Sequence, residues 1–211
     1  MKKLAVFDLD STLLDGESIN VILNHRLHNP DEKKRLENIR ARAMSGELDL
    51  ESSLKQRIAL FKGISLQELR TLCQAISWTK GAQATITALK DRGYLTVCLS
   101  GGFRTITRRC VDELGVDAYC CNRLAHSNGV LTGAISGSLM HHKSKGEVLN
   151  NIQLSLNISP QDTLVVGDGA NDLSLFDYAD TRIAFCAQRV LQEQATHIIR
   201  DRELSQLLDC I

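Results

Sequence analysis

The run LAVFDLDSTLL at residues 4–14 narrows what this chain can become. Leu4, Ala5, Val6 and Phe7 read as a buried strand, and then Asp8 and Asp10 follow one residue apart. Burying a carboxylate with no partner is expensive. The strand must therefore end here and deliver both acids to something that compensates them. In an extended segment, side chains at i and i+2 point the same way, so Asp8 and Asp10 share a direction if the chain stays extended to residue 10. A strand apolar on both faces belongs inside a parallel sheet, and open parallel sheets bind ligands beyond the carboxyl ends of their strands.

The same kind of run recurs at YLTVCLS (94–100), TLVVGD (163–168), RIAFC (182–186) and, more weakly, HIIR (197–200). Helical patterns separate them, at about 81–92, 103–114, 145–156, 171–178, 188–195 and 203–210. Alternation of buried strands with helices predicts an α/β fold with a doubly wound parallel sheet. At 118–138, Ser127-Asn128-Gly129 marks a turn between two alternating runs, which predicts an appended antiparallel β-hairpin. Residues 17–77 carry helical patterns only, at about 17–28, 31–45, 51–61 and 65–76. A helical cap inserted after the first strand is the expected arrangement: a catalytic core of residues 1–15 and 79–211, a cap of residues 16–78, and hinges near Asp15-Gly16 and Thr79-Lys80-Gly81.

Composition excludes some function classes. The 25 Lys and Arg balance the 25 Asp and Glu, so no global field draws the chain to nucleic acid or anionic lipid. The densest charge run, Asp31 to Arg42, mixes both signs and reads as the solvated face of an amphipathic helix. Seven cysteines form no CxxC pair and leave one over, as expected of small core residues in a reducing compartment. Asp8 and Asp10 interrupt the opening apolar stretch too early for a signal peptide, and no run reaches the roughly 18 apolar residues of a membrane span. A soluble, cytoplasmic protein is expected, with a small-molecule substrate; the oligomeric state is not encoded in any pattern here.

Two further strand ends join the first: LSGG (99–102) and VVGDGANDLS (165–174). Together they bring Asp8, Asp10, Ser100, Asp168, Asn171 and Asp172 to one edge. Four carboxylates in one place call for a cation, and oxygen donors without His or Cys favour Mg²⁺, which commonly binds few carboxylates together with a substrate phosphate. A phosphate explains the remaining groups. Ser100 offers a hydroxyl, Gly101-Gly102 lets backbone N–H groups approach at a helix start, and Lys145 supplies positive charge. Phosphoryl transfer needs this positioning and neutralisation. It also needs one ionised carboxylate to attack phosphorus and a second to handle the proton, which assigns Asp8 as nucleophile and Asp10 as acid/base.

With these motifs the sequence resembles the haloacid dehalogenase superfamily of aspartate-nucleophile phosphatases. Along FDLDSTLLDGESI, AMSGELDLESSLKQRIALFKG, LSGGF, CNRL, LTGAISG, KGEVL, VGDGANDLSLF and IAFCA it is similar to the phosphoserine phosphatase branch. That resemblance implies Mg²⁺-dependent hydrolysis of O-phospho-L-serine through an aspartyl-phosphate, as in serine biosynthesis. It implies metal contacts from Asp8, the Asp10 carbonyl and Asp168, with Asp172 orienting a metal-bound water. It places Ser100, Gly101 and Lys145 on the phosphate and Asn171 on the substrate. From the cap, Glu17 and Arg57 would read the amino acid while Met44 and Leu50 line its pocket; Leu50 stands where an aromatic residue is common. Alternatives are transfer of the phosphoryl group to an alcohol such as homoserine, action on another small phosphomonoester, and a phospho-accepting signalling module. The adjacent His141 and His142 read as a surface loop.

Overall fold

The computed structural model describes residues 2–211; Met1 and the side chain of Met44 lie outside the described residues. The first strand, β1 (Lys3–Phe7), is central to a seven-stranded sheet, and its side chains alternate between two separate cores. Ala5 and Phe7 enter one apolar cluster while Leu4 and Val6 enter the other. A strand that feeds two cores has to be apolar throughout, which is why no polar residue interrupts it before Asp8.

The other strands are β2 (Tyr94–Phe103), β3 (Ala118–Ser127), β4 (Val130–Ser136), β5 (Thr163–Gly167), β6 (Thr181–Phe185) and β7 (His197–Ile199). Their order is β4-β3-β2-β1-β5-β6-β7, with every pairing parallel except β3–β4. This is the expected doubly wound α/β sheet. Register sets its working edge: Phe7 lies opposite Cys98 on one side and Val166 on the other. The residues just beyond those three positions therefore emerge together.

Helices cover both faces. The helices numbered to follow are α1 (Ser18–Arg26), α2 (Pro30–Met44), α3 (Leu50–Ala59), α4 (Leu66–Gln74), α5 (Ala82–Asp91), α6 (Arg104–Thr107), α7 (Arg109–Leu114), α8 (Ser144–Leu156), α9 (Leu173–Phe176) and α10 (Arg189–Gln192). Leu149 of α8, Leu175 and Phe176 of α9, and Leu191 of α10 pack on the Leu4/Val6 face. Ile86 and Leu89 of α5, with Leu204 and Leu207 of the closing 3₁₀ turn, pack on the Ala5/Phe7 face. That second cluster continues without a break through Leu13, Ile19, Leu23, Ile58 and Phe61, so α1–α4 share their apolar contacts with the sheet layer. The chain crosses between them on two extended segments, tied by Asp15 N–H to Ser77 O (3.0 Å) and Thr79 N–H to Leu13 O (2.8 Å).

Three details differ from the sequence expectation. The 118–138 hairpin is not an appendage. The first half of β3 pairs in parallel with β2 before its second half pairs with β4, so the hairpin grows out of the sheet. Asn128 and Gly129 both adopt positive φ (49° and 77°), as the tight turn requires. Its tip docks on the α3–α4 connection through Leu131 N–H to Ile64 O (2.8 Å) and Leu66 N–H to Gly129 O (2.8 Å). Second, Gly101-Gly102 does not open a helix. β2 runs through to Phe103, its pairing with β3 skips between Ser100 and Phe103, and the two glycines occupy the irregularity. Third, β1 stops at Phe7, and residues 9–13 form one wide turn closed by Leu14 N–H on Leu9 O (2.8 Å). Four of the seven cysteines are only half-buried, and all seven are free thiols.

Candidate active site

The cavity at the sheet's working edge holds about 190 Å³. Asp8, Asp10, Gly101, Lys145, Asp168 and Asn171 line it from the sheet side; Glu17, Leu50 and Arg57 line it from the helices above. Asp8 and Asp10 both reach it although the strand has ended. The turn that begins at Leu9 buries that leucine and leaves an acid on either side facing the cavity.

A buried ion cluster forms its floor. Asp8, Lys145 and Asp172 are 4%, 3% and 0% exposed. The Lys145 ammonium donates to Asp8 Oδ1 and, at 2.6 Å, to Asp172 Oδ1. The other oxygen of Asp172 accepts from the backbone N–H groups of Asp168 (3.1 Å) and Gly169 (3.2 Å). Asp172 thus bridges the lysine to the loop that carries Asp168. The neighbouring glycine is dictated by this packing: a Cβ on Gly167 would sit 2.4 Å from Asp172 Oδ2. Asp8, Asp168 and Asp172 each offer an oxygen within 4.8 Å of the others.

The electrostatics follow from crowding. Burial, then the charge of Asp172, pushes the Asp8 carboxyl well above the usual carboxylate range, further than Lys145 pulls it down. Burial and Asp172 likewise push Asp168 up to about 7. Burial raises Asp10 also, opposed by a 2.6 Å hydrogen bond that its Oδ1 accepts from Ser18 N–H. Glu17 keeps access to solvent at the cavity mouth, yet the surrounding protein and the Asp10 charge push it up to about 7. For Lys145, burial works against the charge, but Asp172 and Asp8 outweigh it and hold the ammonium above its ordinary range.

Most residues singled out in the sequence gather here. The Ser100 side chain lies just behind the wall, buried, with its Oγ accepting from Gly102 N–H at 2.9 Å. The side chain of Met44 lies outside the described residues. His141 is exposed, as a loop residue should be, but it also contributes to the cavity wall. One residue escaped sequence reasoning: Asn122 of β3. Fully buried, it donates to Gly101 O (2.9 Å) and Leu139 O (2.8 Å) and accepts from Leu139 N–H (3.1 Å). It fixes the carbonyl of the glycine that lines the cavity. Its one mark in the sequence is its place in CNRL, a stretch that carries the family resemblance without saying what the asparagine does.

Such a site presents an anion-neutralising lysine, two acids able to differ in protonation, and a cluster of oxygen donors. Comparisons with known proteins agree with that chemistry. A family model described as haloacid dehalogenase-like hydrolase matches residues 5–177. The chain is 43% identical over 206 residues to a phosphoserine phosphatase of Wolinella succinogenes, covering 98% of each chain. It is 39% identical to one from Methanocaldococcus jannaschii, covering 100% of this chain and 98% of that one. Among solved structures, a phospho-aspartyl intermediate analogue of phosphoserine phosphatase superposes with a TM-score of 0.90 at 38% identity, over 100% of this chain and 99% of that one. A substrate-bound phosphoserine phosphatase complex superposes with a TM-score of 0.91 at 37% identity and the same coverage.

Proposed function

The chain belongs to the haloacid dehalogenase-like hydrolases, and within that family we propose that it hydrolyses O-phospho-L-serine to L-serine and phosphate. The observation that carries this reading is the composition of one cavity: the Asp8–Lys145–Asp172 cluster and Asp10 below, Glu17 and Arg57 above. A substrate bearing phosphate, ammonium and carboxylate needs one partner for each. Lys145 meets the phosphate, Glu17 the ammonium, and Arg57 the carboxylate, for which a guanidinium is suited by its paired donors.

In the proposed reaction an Asp8 oxygen attacks phosphorus and the bond to the serine oxygen breaks, while Asp10 gives that oxygen its proton. Water then attacks the aspartyl-phosphate, Asp10 takes the proton, and phosphate leaves with Asp8 restored. Ser100 and the Gly101 loop orient the phosphoryl oxygens, Asn171 contacts the substrate, and Leu50 shapes the pocket. Residues 16–78 would act as a cap, moving on the segments at 15–16 and 79–81 to admit substrate and then exclude water. The seven free cysteines support a reducing compartment, the cytoplasm. Among the described residues no helix is long and apolar enough to cross a membrane.

The test is phosphate release from O-phospho-L-serine beside phosphothreonine, phosphotyrosine and sugar phosphates. A marked preference for phosphoserine is expected; better hydrolysis of any other ester overturns the substrate assignment.

The donor set fits Mg²⁺: Asp8 and Asp168 offer hard oxygens, with no sulfur or imidazole in the cluster, and their raised pKa values show negative charge in search of compensation. Bound there, the ion would neutralise charge on the transferring phosphoryl group. A pH dependence follows. Asp168 and Glu17 at about 7 hold protons in the folded chain, whereas unfolded carboxylates release them near about pH 4. Between those limits the folded state binds more protons, so stability in chelator falls as pH rises through the window. Mg²⁺ requires the ionised form, so its stabilisation grows over the same window. Thermal unfolding should show a small Mg²⁺-induced rise in Tm at about pH 5 and a larger one at about pH 7.5. An equal rise at both, or none, contradicts this assignment.

A further inference from the structure

The substrate cavity does not stop at Arg57. Leu50 and Arg57 also line a second cavity of about 400 Å³, whose other walls include Asn20, Arg40, Ser53 and Gln188. The two side chains are a partition shared by both spaces, and behind it stands a second guanidinium. Arg40 comes from α2 and Arg57 from α3, helices that pack side by side.

Neither arginine has a carboxylate partner among the described residues. The ion pairs of α2 and α3 are made by others, Arg42 with Glu47 and Lys55 with Glu51. Asp49, which lines the second cavity, caps α3 with its Oδ1, which accepts from the N–H of Ser52 at 2.6 Å, and makes no ion pair with either arginine. Arg40 donates one hydrogen bond, to Asn20 Oδ1 at 2.7 Å, which fixes the plane of its guanidinium. The Nε of Arg40 and the Nε of Arg57 are each buried with no hydrogen-bond partner. Donors of a charged group buried in this way cost free energy unless an acceptor meets them. Burial lowers the Arg57 pKa, Glu17 and then Asp10 oppose that shift, and Arg40 adds a smaller repulsion from the neighbouring helix.

We propose that Arg40 and Arg57 together form a two-guanidinium carboxylate subsite at the junction of the two cavities, with Arg40 as a specificity-determining residue. The inference rests on the reading of the first cavity as a phosphoserine site, and it assigns that substrate's carboxylate two cationic partners rather than one. A carboxylate has about four lone-pair directions and can accept from both guanidinium groups at once. Asn20 holds Arg40 in place for this, so Asn20 acts as a positioning residue. Discrimination then comes from the cost of leaving both guanidiniums unmet when a substrate lacks the carboxylate, which exceeds what one arginine would impose.

The experiment compares O-phospho-L-serine with O-phosphoethanolamine, which keeps phosphate and ammonium but has no carboxylate. In Arg40→Gln, KM for phosphoserine should rise roughly tenfold or more with kcat nearly unchanged, as expected for loss of a charged hydrogen bond made throughout the reaction. The kcat/KM for phosphoethanolamine should stay within about twofold of wild type, because no carboxylate partner is lost. Arg40→Lys, which restores charge without the fork, should recover part of the KM. Equal losses on both substrates would assign Arg40 a purely structural role, and no loss on either would remove it from the site; both outcomes overturn the proposal. A wild type that does not prefer phosphoserine overturns the functional reading first, and this inference with it.

Discussion

Asp8→Asn is expected to reduce phosphate release by at least about four orders of magnitude while leaving the protein folded. An amide oxygen cannot form the acyl-phosphate, and Asp172 cannot take its place, having both oxygens engaged by Lys145 and by two backbone N–H groups. The fold should tolerate the change because Asp8 sits in excess negative charge. Burial first, then Asp172, Asp168 and Asp10, raise its pKa against the pull of Lys145, so a neutral side chain of the same shape relieves both the desolvation and the repulsion. Lys145 keeps its bond to Asp172 and is not left unpaired. Circular dichroism and thermal unfolding should match wild type, and calorimetry should still detect phosphoserine binding. Binding without turnover isolates the chemical step. Turnover above about 1% of wild type would show that Asp8 is not the nucleophile, since removal of an attacking group costs far more than that.

Much of the site was legible because its residues are tied to backbone features that leave marks in sequence. A strand that serves two cores must be apolar at every position, so the change from Phe7 to Asp8 locates its end. The glycine at 167 is fixed by the oxygen of Asp172 lying against it, which makes GDGxND a packing requirement as well as a chemical one. Level register of β1, β2 and β5 then brings the marked residues together.

Other features depend on partners distant in sequence, and there the reading failed. The turn at Asn128-Gly129 is local and was visible, whereas the parallel pairing of residues 118–122 with β2 is not local, and the hairpin looked detached. Gly101-Gly102 satisfies a helix start and a strand irregularity equally well, since both need a backbone without side chains. Asn122 could not be separated from an outward polar residue until Leu139 and Gly101 were seen around it. Glu17 and Arg57 are ordinary helix charges in composition. Only the likeness to relatives singled them out, and the same likeness left Arg40 unmarked, because its neighbour Asn20 lies 20 residues away on another helix.

Lys145→Met should destabilise the chain by about 3 kcal/mol or more near neutral pH, because removing one member of a buried ion cluster leaves the others uncompensated. It should also cost at least about a thousandfold in kcat, as loss of a buried charge aimed at the phosphoryl group does. Methionine fills nearly the same volume, so the loss is electrostatic. In the variant Asp8 and Asp172 would face each other in a buried space, with two backbone N–H groups and the Asn171 amide as the donors left to Asp172. Asp8 finds relief by holding its proton, which raises its folded-state pKa still further above the unfolded value. The extra proton is bound only in the folded state, so the destabilisation should be small at about pH 4 and grow as pH rises toward about 8. Urea unfolding of wild type and variant at several pH values measures that difference directly. A ΔΔG independent of pH would mean that Lys145 contributes packing alone. A variant as stable as wild type at all pH values would mean that the carboxylates are not coupled through it, whatever happens to turnover.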